Sequence, residues 1–316
     1  NKVKKELDDR KVPLMGVLGA FIFAAQMINF TIPATGSSGH LGGGMILAIL
    51  LGPPAAFLTM ASVLTVQALF FADGGLLALG CNIFNLGFFP CFVAYPFAYK
   101  KIVGDKPTRR RIMIGALIAA IASLQMGAFC VVLQTLFSGI SELPFGTFVF
   151  LMQPIHLAIG LVEGFATAAV VIFVWRARPE ILSSAATSMP IGKLSIRRVL
   201  IGLLVAAVVT GGALSWFASA HPDGLEWAMF KTAGIEELES PEKGIHASLA
   251  DIQDKTAFLP DYGFKASATE KEEGEHPSWP SVDPGTSVSG LVGGALTLLM
   301  ALFIGLALKR RKGTGA

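Results

Sequence analysis

Charged side chains are scarce in this sequence of 316 residues. They make up 15% of it, whereas 53% of the residues are hydrophobic and the mean hydropathy is +0.63. Ordinary globular chains carry about 25% charged residues, and a strongly apolar composition marks chains that lie in a bilayer. The scarcity of charge therefore excludes an ordinary soluble domain and predicts an integral membrane protein.

The sequence also lacks the motifs of nucleotide hydrolysis and of familiar enzyme classes. No Gly-x-x-x-x-Gly-Lys-[Ser/Thr] string is present, and "PIGKLS", at 190–195, lacks both the upstream glycine and the hydroxyl after lysine. The apolar runs contain no His-Glu-x-x-His string, Ser-His-Asp order or paired carboxylates. We therefore expect a protein that is not an enzyme and has no ATPase site. Sparse ionisable residues argue against a secondary transporter but leave it open.

Cysteine is rare and lacks metal-binding spacing. Cys81, Cys91 and Cys130 lie within apolar runs, and no Cys-x-x-Cys pair occurs. This pattern is typical of cysteines that act as small hydrophobic side chains. We predict that all three are buried, without a ligand or disulfide role.

Five apolar runs are near the roughly 20 residues that a helix needs to cross a bilayer. They lie at 12–33, 112–139, 146–175, 196–219 and 287–308. Lys and Arg cluster near their ends, and the positive-inside rule places these basic loops and the C-terminus in the cytoplasm. Residues 34–99 must then cross an odd number of times, and we expect three segments, at 44–52, 55–72 and 76–99.

The predicted fold is an all-α integral membrane protein with six spans in its core and a C-terminal two-helix module. The boundaries are a core at 1–178, a cytoplasmic linker at 179–195 and the module at 196–316, which includes an external acidic loop at 220–285. The same count of membrane crossings places residues 34–44 outside the cytoplasm. These assignments predict two modules in one membrane protein.

The acidic loop holds 14 acidic and 5 basic residues, leaving 8 acidic and 20 basic residues elsewhere. Its carboxylates either attract cations from outside or belong to a solvated connector. His221, His246 and His276 stand far apart in its polar surroundings, and we interpret them as solvated surface groups.

A glycine-rich loop, "IPATGSSGHLGGG" at 32–44, follows the first apolar run. Glycine lets a backbone approach a small ligand closely, and His40 is the imidazole of this loop. We predict that His40 binds a metal ion and that the hydroxyls of Thr35, Ser37 and Ser38, next to Gly39, orient the imidazole by hydrogen bonds. One imidazole cannot hold a divalent ion alone, so other donors are required.

A second histidine lies within the apolar run at 146–175, in "QPIHLAIGLVEG". His156 is followed by Glu163 about two helical turns later. Ionisable groups within a membrane are functional candidates, so His156 is a candidate donor near the metal. The alternative is that His156 and Glu163 form a buried polar pair that joins helices.

Small residues recur every four positions in the first apolar run, at Gly16, Ala20 and Ala24. Such a stripe lets another helix approach closely in a membrane. It predicts either a contact within this chain or a docking face for a partner protein.

Three strings carry a family resemblance: "PATGSSGHLGGG", "PIHLAIGLVEG" and "HPDGLEWA", which begins at His221. With them the whole chain resembles the nickel/cobalt substrate-binding membrane components of energy-coupling-factor transporters, the M-type family, fused to the small N-type component. The resemblance implies an importer of the prokaryotic cell membrane. This chain would capture Ni(II), or Co(II), outside, and a transmembrane coupling component with cytoplasmic ATPase components would drive uptake. Lipid is the other expected partner; nucleic acid and a resident cofactor are not expected.

The same resemblance implies roles for individual residues. His40 matches the family's metal-binding histidine, and the stripe around Ala20 and Ala24 resembles the face that docks on the coupling protein. The remaining nitrogen ligands would come from an amino-terminal Met-His pair, whereas this sequence begins "NKVKKELDD". We expect that pair and one further helix upstream, which would give seven core spans.

We expect nickel rather than cobalt to be the substrate, because the fused C-terminal part resembles that of nickel systems. Square-planar nitrogen ligation also suits Ni(II), although affinity order alone separates the two ions poorly. A secondary transporter of another small solute, or a structural membrane protein that docks through its acidic loop, remain alternatives.

Overall fold

The computed structural model describes residues 6–139, 143–234, 243–265 and 279–310. Its helices are α1 (Lys11–Gln26), α2 (Gly44–Leu51), α3 (Pro53–Phe70), α4 (Leu79–Val103), α5 (Arg109–Ser138), α6 (Phe145–Ala177), α7 (Pro179–Thr187), α8 (Arg197–Gly212), α9 (Gly224–Ala233), α10 (Ile245–Thr256) and α11 (Pro284–Arg310). Two short strands, β1 (Phe30–Ile32) and β2 (Ser37–Gly39), form a hairpin. The middle of α4, Phe84–Tyr99, is π-helical.

The helices α3, α4, α5, α6 and α11 are long and apolar enough to cross a membrane. Helix α1, with 16 residues, is a shorter apolar helix. The prediction of an all-α integral membrane protein is therefore confirmed.

The first predicted span, 12–33, is too long, because α1 ends at Gln26 and the chain then turns into the β1–β2 hairpin. Phe30 pairs with Gly39, and Ile32 pairs with Ser37. The β-branched pair Thr31 and Ile32 favours an extended strand, and Pro33 begins the turn that follows. The loop that the sequence presented as irregular is therefore partly a two-stranded sheet.

The predicted segments 44–52 and 55–72 appear as α2 and α3, separated by a sharp turn at Gly52. This glycine has φ of 82°, a conformation that side chains disfavour, and Pro53 then begins α3. All eight residues of α2 are buried. Since eight residues rise only about 12 Å, α2 cannot cross a membrane by itself.

Helices α5 and α6 pack closely because α6 presents glycines to α5. A Cβ on Gly160 would lie 3.0 Å from the Cα of Ile121, and one on Gly164 would lie 2.7 Å from the Cα of Leu117. Glycines four residues apart permit such backbone approach between membrane helices. This packing fixes the positions of His156 and Glu163 relative to α5, because both residues lie on α6.

The C-terminal helices pack directly on α1. A Cβ on Gly290 of α11 would lie 2.3 Å from the carbonyl oxygen of Gly211 on α8, and a Cβ on Gly293 would lie 2.0 Å from the ring of Phe23 on α1. These contacts leave no room for side chains at the two α11 positions. The helices α8, α11 and α1 therefore form one packed group.

The stripe of small residues on α1 lies within this packed group. A Cβ on Gly16 would lie 3.0 Å from Leu302, and Ala20 lies against Gly294 of α11; Ala20 and Ala24 are buried. The chain's own α11 covers Gly16 and Ala20, which is the contact within the chain that was one of the two interpretations; a docking role of this stripe stays a prediction. The contact within the chain is the interpretation that the coordinates support.

Part of the predicted linker is helical. Residues 179–187 form α7, whose Ile181, Leu182 and Ala185 are buried. The carbonyl oxygen of Ala185 lies against Gly52, at the α2–α3 turn. Helix α7 is therefore packed on the core, and only the remaining segment, 188–196, resembles the predicted linker.

The three cysteines are free but differ in burial. Cys91 is buried, Cys130 is half-buried and Cys81 is exposed. The prediction that all three are buried is wrong for Cys81, because it lies in the first turn of α4, a turn in which no residue is buried.

The described part of the acidic region is not entirely a solvated connector. Its helix α10 has no buried residue, but the following segment packs on the end of α3. The N–H groups of Leu259 and Asp261 donate to the carbonyls of Phe70 and Phe71, at 3.2 and 2.9 Å. His276 and the carboxylates at 270–275 lie outside the described residues.

Candidate functional site

The β1–β2 hairpin is held by the segment that follows α8. The N–H of Ser38 donates to the carbonyl of Pro222 at 2.8 Å, and the Ser38 hydroxyl donates to the carbonyl of His221 at 2.8 Å. The N–H of Ser219 donates to the carbonyl of Asn29 at 2.7 Å. The C-terminal module thus fixes the strand that leads into His40.

The turn of the hairpin is held by its own hydroxyl and by an indole from α9. The Thr35 hydroxyl donates to the carbonyl of Ile32 at 2.8 Å and accepts from the N–H of Ser37 at 3.1 Å. The Trp227 indole N–H donates to the Thr35 carbonyl at 3.0 Å. The turn is thereby locked to the C-terminal module.

The expectation that Thr35, Ser37 and Ser38 orient the His40 imidazole is therefore corrected. The Ser37 hydroxyl donates to the Ser38 carbonyl at 3.1 Å, so all three hydroxyls serve the backbone of the hairpin or the segment packed on it. The reason is local: short hydroxyl side chains at a turn reach neighbouring carbonyls before they reach a distant ring.

His40 lies between the hairpin and α2, and it is half-buried. Its Nδ1 is 3.1 Å from the carbonyl oxygen of Leu41. A proton on Nδ1 makes that contact a hydrogen bond and leaves Nε2 with a free lone pair, the form in which an imidazole binds a metal. Gly39, just before it, has no room for a side chain, because a Cβ would lie 2.4 Å from Ile159 on α6.

A cavity of about 140 Å³ lies beside His40. It is lined by His40, by His156 of α6 and by Asp223, the residue before α9, with the amides Asn82 and Asn85 on the α4 side. Four separate parts of the chain thus bring two imidazoles, a carboxylate and two amides to one small space. Its volume suits a small hydrated ion rather than a large organic molecule.

His156 and Glu163 do not form the buried polar pair that was one interpretation. His156 Nδ1 contacts the carbonyl oxygen of Met152, one turn earlier on α6, at 2.8 Å, which again favours a free Nε2. Glu163 instead accepts from the N–H of Gly42 at 2.7 Å. Each side chain therefore has its own backbone partner.

Glu163 caps α2 from a distance. Glu163 is 2% exposed, and its carboxylate lies near the backbone N–H groups of Gly43 and Met45 at the start of α2. The residue that precedes α2, Gly43, has no side chain to cap the helix, so the first N–H groups of α2 need an acceptor from elsewhere. A buried carboxylate on α6 meets that need and ties the glycine-rich loop to α6.

Each letter of the "PDGLE" string except leucine has an observed structural role. Asp223 Oδ1 accepts from the N–H groups of Leu225 and Glu226, and Glu226 accepts from the N–H of Asp223, which is a capping box. A Cβ on Gly224 would lie 2.7 Å from Ile155 of α6. Pro222 supplies the carbonyl that Ser38 binds. The string therefore seats α9 against both the core and the hairpin.

The site as described is not a complete metal coordination set. Within the described residues, no group of three or more His, Cys, Asp or Glu side chains is close enough to hold a metal ion. His221 is exposed and His246 half-buried, and neither lines the cavity. Sequence reasoning identified His40 and His156 but missed Asp223, Asn82 and Asn85, whose approach depends on the tertiary fold.

Comparison with known proteins agrees with this arrangement. The model of the CbiM family, described as the cobalt uptake substrate-specific transmembrane region, matches residues 1–181, and the PDGLE domain model matches residues 197–310. No solved structure matches the chain.

Several relatives resemble the chain, and two of those described here cover more than four fifths of its length. An Archaeoglobus fulgidus protein, named provisionally as fused nickel transport protein NikMN, is 34% identical over 94% of this chain and 85% of its own length. The fused nickel transport protein NikMN of Rhodobacter capsulatus is 30% identical over 83% and 80%. A Haloquadratum walsbyi protein, named provisionally as a metal transport protein, is 38% identical over 57% and 79%. The chain therefore belongs to the CbiM family of metal-transport membrane components and carries a PDGLE domain in the same polypeptide.

Proposed function

We propose that this protein is the substrate-binding component of an energy-coupling-factor importer and that it captures Ni(II) in the cavity beside His40. The observation that carries the proposal is that cavity: two imidazoles line a small space in a member of a metal-transport family. Nitrogen donors of this kind suit Ni(II). The fused relatives that match most of the chain are named for nickel, which supports nickel as the substrate and leaves cobalt as the alternative.

His40 is the metal ligand in this proposal, and the remaining nitrogen donors come from the amino-terminal Met-His pair of the M-type family. His156 and Asp223 line the same space, so they adjust its polarity and attract the cation as it enters. The His40 loop and the acidic region are proposed to face outward, since the basic clusters place the opposite loops in the cytoplasm. A transmembrane coupling component and ATPase components complete the importer, because the sequence has no phosphate-binding loop of its own.

Calorimetry with the purified full-length protein tests the role of His40. His40→Ala removes a direct ligand, so we expect the Kd for Ni(II) to rise at least tenfold, which is about 1.4 kcal/mol or more. His221→Ala is the matched control, because this histidine is exposed and outside the cavity, and its affinity should equal that of the wild type. Equal binding by wild type and His40→Ala would overturn the proposed site.

The amino-terminal donors are tested separately. We expect the sequence 1–316 with an added amino-terminal Met-His segment to bind Ni(II) more tightly than 1–316 alone, and more tightly than it binds Co(II). If the two forms bind equally, the donors must be sought within the cavity, beginning with His156. Uptake into ATP-free liposomes by this chain alone would instead indicate a secondary transporter.

A further inference from the structure

The backbone of Gly42, two residues after His40, is held at both its N–H and its carbonyl by buried side chains. Its N–H donates to Glu163, and its carbonyl accepts from Nε2 of Gln26 at 2.9 Å. Gln26 lies in the last turn of α1 and is 5% exposed. The backbone that leaves His40 is therefore oriented by two contacts from distant parts of the chain.

The contact with Gln26 is the first member of a longer polar chain. Gln67 of α3, which is 4% exposed, donates from Nε2 to Oε1 of Gln26 at 3.0 Å. The Tyr262 hydroxyl lies beside the Gln67 side chain and donates to the carboxylate of Asp73, whose backbone N–H donates to the backbone carbonyl of Gln67 at 3.2 Å. The polar chain thus runs from Gly42 through Gln26, Gln67 and Asp73 to Tyr262.

Tyr262 is the member of the polar chain that belongs to the C-terminal module. Its ring stacks on Phe71 with centroids 5.2 Å apart and meets the edge of Phe23 at 6.0 Å. The backbone bond from Asp261 to Phe71 fixes the preceding residue. Burial and the neighbouring Asp73 carboxylate raise the pKa of Tyr262 well above its ordinary value, so the hydroxyl keeps its proton and donates.

We propose that Tyr262 is a positioning residue for the substrate site: through Asp73, Gln67 and Gln26 it fixes the Gly42 backbone and, with it, the direction in which His40 faces the cavity. This inference rests on the proposed function. Polar groups that lose a partner carry a cost and reorient, and coupled hydrogen bonds strengthen one another in a medium of low dielectric constant. The removal of one hydroxyl at Tyr262 therefore acts on a loop that it does not touch.

The substitution Tyr262→Phe keeps the stacked ring and removes the hydroxyl. We expect the Kd of the full-length protein for Ni(II) to rise about three- to tenfold, the effect of one hydrogen bond. Backbone amide exchange at residues 40–44 should also become faster. A purely structural role would lower the thermal midpoint without changing the affinity or the local exchange.

The matched control is Tyr99→Phe. The hydroxyl of Tyr99 is buried and has no hydrogen-bond partner among the described residues, and this residue lies at the other end of α4 from the cavity. The same change of side chain should therefore leave Ni(II) affinity and exchange at 40–44 at their wild-type values. A loss of affinity in this control equal to that of Tyr262→Phe would contradict the proposal.

A double substitution tests transmission along the polar chain. Gln26→Met and Tyr262→Phe interrupt the same path, so their effects on Kd should be less than additive; full additivity would show that they act separately. Should Tyr262→Phe fail to fold, Asp73→Ala removes the acceptor of the Tyr262 hydroxyl, with the same expected rise, while Asp73→Asn keeps an acceptor and should restore affinity.

The inference and the proposed function fail in different ways. If His40→Ala weakens binding and Tyr262→Phe binds like wild type, the positioning role is wrong and metal capture stands. If His40→Ala does not weaken binding, the proposed function is wrong.

Discussion

Gly224 is a point of tight contact between the C-terminal module and the core. No Cβ fits there without moving Ile155, since the two carbons would be 2.7 Å apart. The same contact brings Asp223 to the rim of the cavity. One missing side chain therefore sets the distance between the second module and the two imidazoles.

We expect Gly224→Ala to destabilise the protein by about 1–3 kcal/mol, the usual cost of overpacking a tight contact. Gly146→Ala is the matched control, because Gly146 also lies in the first turn of a helix and a Cβ there meets no atom within 4 Å. Thermal unfolding in detergent should show a lower midpoint for Gly224→Ala alone. Equal midpoints for the two variants would mean that α9 shifts without cost.

At this scale, the sequence predicted residue types better than their partners. His40 and His156 were identified because a histidine in an apolar or glycine-rich context is conspicuous, and the structure places both at one cavity. The predicted partner of Thr35 and Ser38, the His40 imidazole, was wrong because a hydroxyl binds whichever carbonyl the fold brings near. Gln26, Gln67 and Tyr262 could not be connected from sequence, since they lie on three segments that meet only after folding.

Helix α2 is the element that depends most on a distant residue. It is short, fully buried and capped by Glu163 of α6. An isolated helix of eight residues is unstable in water, so packing and this remote cap hold it in place. The orientation of the glycine-rich loop follows from the same contact.

Glu163→Leu should leave the N–H of Gly42 without its acceptor and the start of α2 without a nearby carboxylate, at a cost of about 1–3 kcal/mol. Glu163→Gln keeps one acceptor oxygen and should be much milder. Amide exchange at residues 42–45 measures the difference and should be fastest in Glu163→Leu. If the two variants exchange alike, the charge of the carboxylate matters more than its geometry.

The elements were predictable in proportion to their length. The apolar runs that became α5, α6 and α11 all exceed the roughly 20 residues of a span, and their helices were placed correctly. The hairpin was missed because strands of three residues carry almost no periodic pattern, and the contact that fixes β2 comes from Pro222, far along the chain. Helix α7 was read as linker because its apolar face is only a few residues long.

At the scale of the whole molecule, α11 and α8 are packed on α1 rather than standing beside the core as a separate pair. Glycines where these helices cross bring their backbones together. The hairpin of the core also forms hydrogen bonds with the segment that follows α8. The two halves therefore bury a continuous interface on both the helical and the loop sides.

We expect the two halves to remain together after the connection between them is cut. A protease site inserted between Lys193 and Leu194, both exposed, allows cleavage after purification. The fragments should elute together in size-exclusion chromatography and keep Ni(II) binding at micromolar protein concentration. Separation of the fragments immediately after cleavage would show that the interface is weaker than its packing indicates.

The unbroken backbone through α7 and residues 188–196 has a consequence for synthesis and dilution. One messenger yields both halves in equal number, and neither half has to find the other in the membrane. A tether this short keeps the effective concentration of the module near the millimolar range. Occupancy of the core by its module is then independent of expression level, whereas in a two-chain arrangement it would fall as the subunits become scarce.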